Sequence, residues 1–290
     1  MIPYACSDPL LSQIATGDQT LISEYVAASP GLADLLGAKS YAPTESPFLS
    51  VDGSNTEPFP PQWLDLIRLH YLVRSRRVTT VLEFGVGHSS GVIAHALAAN
   101  REEFGMYVKE KLRRSNAFEL HTVDESEHWI EAAEERLSSQ FTEHTTFYVS
   151  PVRMTTFNGR ICTEYQRLPN ICPDFIYLDA PAQWPVSGDV NGISTNHPDR
   201  LPMACDLIKI EHFLLPGTLI VVDGRTANAR FLKTNFQRNW AHFHDVDSDV
   251  HYFELIELPL GRWNRRQVEF CLGVDWLAHA DFASSTGDTP

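Results

Sequence analysis

The sequence predicts an α/β fold: a mostly parallel sheet with helices on both faces and an antiparallel hairpin at its C-terminal end. Three observations lead there. From Val78 onward, short runs rich in β-branched and aromatic residues alternate with helical runs. Those short runs are apolar almost throughout rather than at every second position, as strands covered on both faces require. The last two strand-like runs, His251–Leu258 and Gln267–Leu272, are separated only by residues 259–266. That link is too short for a crossover, so the pair is expected to be antiparallel.

Residues 1–60 read as an extension of short helices and loops. Leu10, Leu11, Ile14, Leu21, Ile22, Tyr25 and Val26 recur at helical spacing. The stretch Tyr41–Pro61 is rich in proline and holds the Asp52-Gly53 pair, which reads as a linker or a lid. Gln62–Arg76 follows as an amphipathic helix with Leu64, Ile67, Leu69, Tyr71 and Leu72 on its apolar side. Residues 61–276 then form the ligand-binding domain. Its strands are expected at Val78–Phe84, Phe118–Val123, Thr146–Val149, Phe175–Leu178 and Thr218–Val222. Its helices are expected at Ser90–Asn100 with an extension to about Arg114, at Glu127–Gln140, Pro202–Leu215 and Asn228–Arg238. Residues 277–290 are small and acidic and read as a flexible tail.

The formal charge of −14 argues against nucleic acid as a partner, because phosphate neutralisation needs a basic face. The basic runs at 74–77 and 109–114 read as solvated helix faces. Five scattered cysteines without C-x-x-C spacing argue against a disulfide framework and a structural zinc site. With no signal-like N-terminus, they lead us to expect a cytoplasmic protein. No apolar run reaches membrane-spanning length, so no membrane partner is expected. A small-molecule or sugar substrate suits this balance better, and a homodimer is left open.

The segment Val81–Ser90 carries the chemistry. A strand ends, Gly85 and Gly87 follow, and Ser89-Ser90-Gly91 opens a helix. Ligands of open α/β sheets bind at the carboxyl ends of strands. Glycines let a backbone come close to a ligand, and free helix-start amides attract negative charge. In a dinucleotide loop the third glycine would stand where this chain has Ser90. Glu83 lies two residues before the first glycine. A carboxylate there is awkward beside a pyrophosphate and suits a ligand with a cationic group.

Glu83-x-Gly85-x-Gly87-x-Ser89-Ser90 resembles the first motif of class I S-adenosylmethionine-dependent methyltransferases. The resemblance implies a Rossmann-like seven-stranded sheet of order 3-2-1-4-5-7-6 and S-adenosylmethionine as cofactor. It implies a cofactor set of Glu83, Gly85, Gly87, His88, Ser89, Ser90, Asp124, Glu125, Ser150 and Asp179. Asp124 ends the second strand, where an acid takes the ribose hydroxyls. It lies about 40 residues past the glycines instead of the usual ~20, and the helical extension after Asn100 accounts for the excess. The loop beginning at Ser150 is the expected adenine contact.

Asp179 and Asp223 end the fourth and fifth strands. They are the candidate catalytic acids, either as general base or as Mg²⁺ ligands. In this they resemble the metal-dependent catechol and macrocin O-methyltransferases. Those families usually carry a further acid or amide directly after the fifth-strand acid, where this chain has Gly224. His88 and His197 are the alternative bases. Trp184, Arg225 and Asn228 are the candidate acceptor contacts, with Ala182–Arg200 as a lid. The runs Tyr177–Pro181 and Val222–Leu232 also resemble bacterial methyltransferase-like proteins, which leans toward sugar or small-molecule acceptors. Two other readings stay open: an NAD-dependent oxidoreductase, and a non-catalytic binding protein on the same fold.

Overall fold

The computed structural model describes residues 1–37, 41 and 60–286. The N-terminal part starts with a 3-10 turn, Tyr4–Ser7, and continues as α1 (Pro9–Ala15), α2 (Gln19–Ala27) and α3 (Leu32–Leu36). After α4 (Trp63–Ser75) come β1 (Thr80–Phe84), α5 (His88–Lys111), β2 (Glu119–Asp124), α6 (Glu127–Arg136), α7 (Ser139–Thr142) and β3 (Thr145–Val149). Next are β4 (Val152–Phe157), β5 (Arg160–Tyr165), β6 (Phe175–Leu178), β7 (Val186–Ser187) and α8 (Asp206–Ile210). The chain ends with β8 (Leu219–Asp223), α9 (Thr226–Asn235), β9 (Trp240–Asp245), β10 (Val250–Leu255), α10 (Gly261–Leu272) and α11 (Val274–Thr286).

The main sheet has the order β3-β2-β1-β6-β8-β10-β9, and β4, β5 and β7 form a second, three-stranded sheet. With the second sheet set aside, the order is 3-2-1-4-5-7-6, as the resemblance implied. β3, β2, β1, β6 and β8 run parallel, and β10 pairs antiparallel with both β8 and β9. Alternate residues of the buried strands feed two cores. Val81, Leu120, Phe175, Tyr177, Val221 and Tyr252 pack under α4 and α5, while Leu82, Phe84, Ile176, Leu178, Ile220 and Phe253 face the other way. No helix among the described residues is long and apolar enough to cross a membrane.

Several expectations need correction. The terminal hairpin exists, but its strands are β9 and β10, and the run 267–272 is helical. The reason is visible in the burial: Asn264, Gln267, Val268 and Cys271 fall on one helical face, and Gly273 closes the helix. β9 escaped notice because His242 and His244 interrupt its apolar pattern. The loop at Ser150 continues as β4 of the second sheet. The helix expected over 127–140 breaks at Leu137 into α6 and α7. The helix expected over 202–215 shrinks to α8 and one 3-10 turn, because the backbone of Met203 and Cys205 is bound to Thr163 in a bridge centred on Ala204. The tail drawn from 277 is helical through Thr286, with Trp276 and Ala280 fully buried. The lid expected at Tyr41–Pro61 falls mostly on residues outside those described. Of that stretch, Tyr41 is buried in the core shared with α4.

The basic runs are not plain solvated faces either. Arg76 is buried and pairs with the buried Glu254 at 2.9 Å. Glu254 also accepts hydrogen bonds from the Ala5 amide at 3.0 Å and from Trp276 Nε1 at 2.9 Å. Arg114 donates to Thr80 Oγ1 at 2.6 Å and to the Cys172 carbonyl at 2.9 Å. These contacts close the sheet at the amino ends of its parallel strands, opposite the ligand edge.

The N-terminal helices dock through a chain of neutral side chains. His95 Nε2 lies 3.0 Å from the Pro30 carbonyl, which can only accept. His95 Nε2 is therefore protonated, and its Nδ1 accepts from His70 Nε2 at 3.0 Å. His70 Nδ1 in turn accepts from the Tyr25 hydroxyl at 2.7 Å. Burial, then the neighbouring His95 and Arg74, push the His70 pKa down to about 3. The unfolded chain, with a His pKa near ~6.5, binds this proton more readily, so stability is full above that value and lost as pH falls. Between pH 7 and pH 5 this group is expected to remove about 2 kcal/mol. Urea unfolding at the two pH values should show a drop that shrinks by that amount in His70→Gln. An unchanged drop would contradict the neutral chain.

Candidate functional site at the carboxyl edge of the sheet

β1 ends in a carboxylate that has no contact with solvent. Glu83 Oε1 accepts from Ser89 Oγ at 2.6 Å, and Oε2 accepts from Ser90 Oγ at 2.7 Å and Thr122 Oγ1 at 2.8 Å. Burial raises its pKa and the three hydroxyls oppose this, leaving it at about 7. The expectation that Glu83 meets a cationic ligand directly is corrected here. Its oxygens are spent beneath the first turn of α5, where they fix the loop and compensate the positive end of the helix.

The two glycines of the loop answer to different demands. Gly85 has φ +94, and a Cβ there would stand 3.1 Å from Ala180 Cβ and 3.2 Å from the Asp179 carbonyl. Gly87 has an extended φ of −178, and an added Cβ would meet nothing closer than Ser89 Oγ at 4.0 Å. The fold itself needs Gly85. Nothing among the described residues explains Gly87, so the space above it suits a ligand that lies against the backbone.

Asp124, at the end of β2, accepts from the Val86 amide at 3.0 Å and from the Ser126 amide at 2.8 Å. Burial and the adjacent Glu125 charge raise its pKa to about 7, and the two amides oppose this. Glu125 accepts from the Tyr165 hydroxyl at 3.1 Å and the Ala182 amide at 2.8 Å, so it ties the second sheet to the loop after β6. Ser150 is buried, and its hydroxyl accepts from the Arg167 amide at 2.9 Å.

Arg225 straps together the loops after β6 and β8. It donates to the Asp179 and Pro181 carbonyls, the latter at 2.6 Å, and its Nε lies 3.4 Å from Asp179 Oδ1. Solvent still reaches 55% of the Asp179 side chain. The protein mass around that carboxylate raises its pKa, Arg225 lowers it and Asp223 adds to the rise. Water access tempers all three effects. Asp223 Oδ2 accepts from the Tyr177 hydroxyl at 2.5 Å.

Sequence reading missed the wall facing these acids. α4 brings Asp65 and the buried Arg68 into an ion pair over the same sheet face as Tyr177 and Asp223. Burial raises Asp65 to about 6, against the pull of Arg68 and with the push of Asp223. Arg68 Nε has no hydrogen-bond partner among the described residues. An arginine within an apolar helical run was the available signal, because a buried guanidinium needs acids nearby.

Other expected residues are placed elsewhere. Asn228 is wholly buried, with its amide bound to the Ala204 amide and carbonyl at 2.8 and 3.1 Å, so it is a packing group and not an acceptor contact. His197 is exposed, and its Nδ1 accepts from the Asp199 amide at 3.1 Å within its own loop. His88 begins α5 half-buried, its pKa lowered by burial and then by Arg136. The Ala182–Arg200 loop carries Trp184 and is anchored by β7 against β4. A hollow of about 300 Å³ bordered by Tyr4, Asp8, Ser75, Arg76 and Cys271 lies at the amino edge of the sheet and has no part in this site.

No protein-family model matches the chain, and no curated protein does. Solved structures do. The O-methyltransferase TomG from Streptomyces achromogenes, involved in tomaymycin synthesis and solved with S-adenosylmethionine, is 14% identical over 80% of this chain and 89% of its own, with a TM-score of 0.36. An O-methyltransferase from Bacillus cereus solved with S-adenosylhomocysteine is 14% identical over 80% and 99%, with a TM-score of 0.37. The S-adenosylhomocysteine-bound methyltransferase PaMTH1 from Podospora anserina is 11% identical over 86% and 88%, with a TM-score of 0.35.

The glycine pair gives a direct test. Gly85→Ala should cost about 1–3 kcal/mol in urea unfolding, from positive φ and close contact. Gly87→Ala should unfold within about 0.5 kcal/mol of the parent yet lose ligand affinity by about threefold or more. Equal stability losses in both would remove the argument for a ligand above Gly87.

Proposed function

We propose that this chain binds S-adenosylmethionine at the β1–α5 loop and transfers its methyl group to an oxygen of a small-molecule or saccharide acceptor. The observation that carries this reading is Glu83 beneath the start of α5. A carboxylate already compensates that helix end, so a diphosphate finds a poorer electrostatic welcome than a ligand with a cationic centre. Gly87 leaves room for the ligand against the protein backbone, and Asp124 supplies an acceptor for ribose hydroxyls. An antiparallel strand order at β10 and β9 also separates this sheet from an all-parallel dinucleotide fold.

The acceptor then lies between Asp179, Asp223, Tyr177 and the Asp65–Arg68 pair. Methyl transfer is an in-line displacement at carbon, so alignment contributes much of the acceleration. As the acceptor oxygen attacks, its proton must leave. Asp223 is the base of this reading: Tyr177 holds one of its oxygens, and no guanidinium among the described residues pairs with it directly. Asp179 is held by Arg225 and serves to orient the acceptor, with Arg225 and Trp184 as further contacts. His88, neutral through burial, is the alternative base.

Mg²⁺ between Asp179 and Asp223 would have to compete with the Arg225 guanidinium and the Tyr177 hydroxyl for carboxylate oxygens. That donor set fits the ion poorly, and no step of the reading runs through it.

Calorimetry with S-adenosylmethionine, S-adenosylhomocysteine and NAD tests the donor. We expect the first two to bind and NAD not to; tight NAD binding alone would overturn the reading. For the base, Asp223→Asn should lower kcat by about 10²–10⁴-fold while donor affinity stays within about a factor of two. A donor affinity that fell in parallel with kcat would make Asp223 a binding residue instead.

A further inference from the structure

The β9–β10 hairpin carries a cluster that the methyl-donor reading does not use. His244 pairs in register with His251, and their rings stack 3.8 Å apart at 9°. His244 Nε2 lies 3.7 Å from Asp249 Oδ1. Thr226 Oγ1, at the start of α9, donates to Asp249 Oδ1 at 2.9 Å and lies 3.0 Å from His251 Nε2. One ligand atom each from His244, Asp249 and His251 stands within 4.8 Å of the others, and no other such group of three occurs among the described residues. We propose that His244, Asp249 and His251 bind one divalent transition ion of the zinc class.

The chemistry of the donors suits this. Two imidazoles and one carboxylate are the ligand types that borderline ions prefer, and three protein ligands leave a fourth position for water. Ligand atoms on one tetrahedral ion stand about 3.3 Å apart, so the group must contract by up to about 1.5 Å, and the two rings must turn out of their parallel stack to aim both lone pairs at one ion. Side-chain rotation at the hairpin can supply that.

His244 Nε2 is enclosed and has no hydrogen-bond partner among the described residues, which leaves it wanting one. His242 Nε2 lies 3.0 Å from His251 Nδ1. Because the Thr226 hydroxyl donates to Asp249, His251 Nε2 carries the ring proton when no ion is bound; an ion at Nε2 requires that proton on Nδ1, which then donates to His242 Nε2 as the second nitrogen of a metal-bound histidine commonly does. Asp245 and Asp247 in the same turn add negative charge, and Arg230 and Lys233 on α9 oppose it.

The site would act at a distance from the reacting atoms. The Gly224 amide donates to the Asp249 carbonyl at 2.9 Å, and Val250 pairs with Asp223. A bound ion would therefore brace the turn that follows Asp223.

The test needs no methyl donor, so its result is independent of the function proposed above. Tag-free protein stripped with EDTA is titrated with Zn²⁺ by calorimetry, and its metal content is measured after dialysis. We expect one zinc per chain, a raised Tm, and no comparable binding of Mg²⁺, which prefers oxygen ligands. His244→Phe keeps the ring stack, and Asp249→Asn tolerates the positive φ of that residue. Each should weaken zinc binding at least about tenfold, and His128→Ala should not. Absence of stoichiometric zinc binding, or unchanged affinity in His244→Phe and Asp249→Asn, would overturn the proposal.

Discussion

A buried carboxylate needs several donors, and the way Glu83 meets that need organises the ligand edge of this protein. Its hydroxyl partners come from β2 (Thr122) and from the first turn of α5 (Ser89 and Ser90). Burying a charge without such partners would cost several kcal/mol. The same three bonds that offset this cost fix where α5 begins relative to β1 and β2. Asp124 repeats the device one strand away, holding the Val86 amide of the same loop. The loop is thus pinned from below by two acids, and its upper side is left to Gly87.

This arrangement reaches the loop after β6 through sterics. Gly85 has no room for a side chain because Ala180 and the Asp179 carbonyl press against it. Arg225 then carries the constraint on to β8 by binding the Asp179 and Pro181 carbonyls. Three strand ends are coupled by short, directional contacts, which is how a site on loops can hold its geometry. The opposite edge is closed differently. There Asp174 receives the amides of Thr79 and Thr80, and the Arg76–Glu254 pair gathers the N-terminus and α11. One edge is filled with polar groups that mostly pair with one another, while the other keeps acids within reach of a ligand.

Much of this was legible in the sequence where it depends on near neighbours. The five parallel strands, the long α5 and the strand-end acids each announce themselves within a few residues. The hairpin was legible only in kind. Its antiparallel character followed from the need to end the chain with a short connection, but β9 hides behind its histidines, and the run 267–272 is apolar in a way that suits a helix equally well. The second sheet was not legible, because β4 and β5 carry charged and polar residues that read as loop.

The sequence by itself determined the α/β alternation, the glycine loop and the acids that end β2, β6 and β8, because strand apolarity and turn chemistry are local. Only the tertiary structure decided which polar groups are consumed internally. Asn228 is spent on Ala204, Ser150 on Arg167 and the Glu83 oxygens on three hydroxyls. Only the tertiary structure, too, set Asp65 and Arg68 over Tyr177 and Asp223. A side chain's hydrogen-bond partner is fixed by where distant segments meet in space, and residue spacing along the chain carries no record of that.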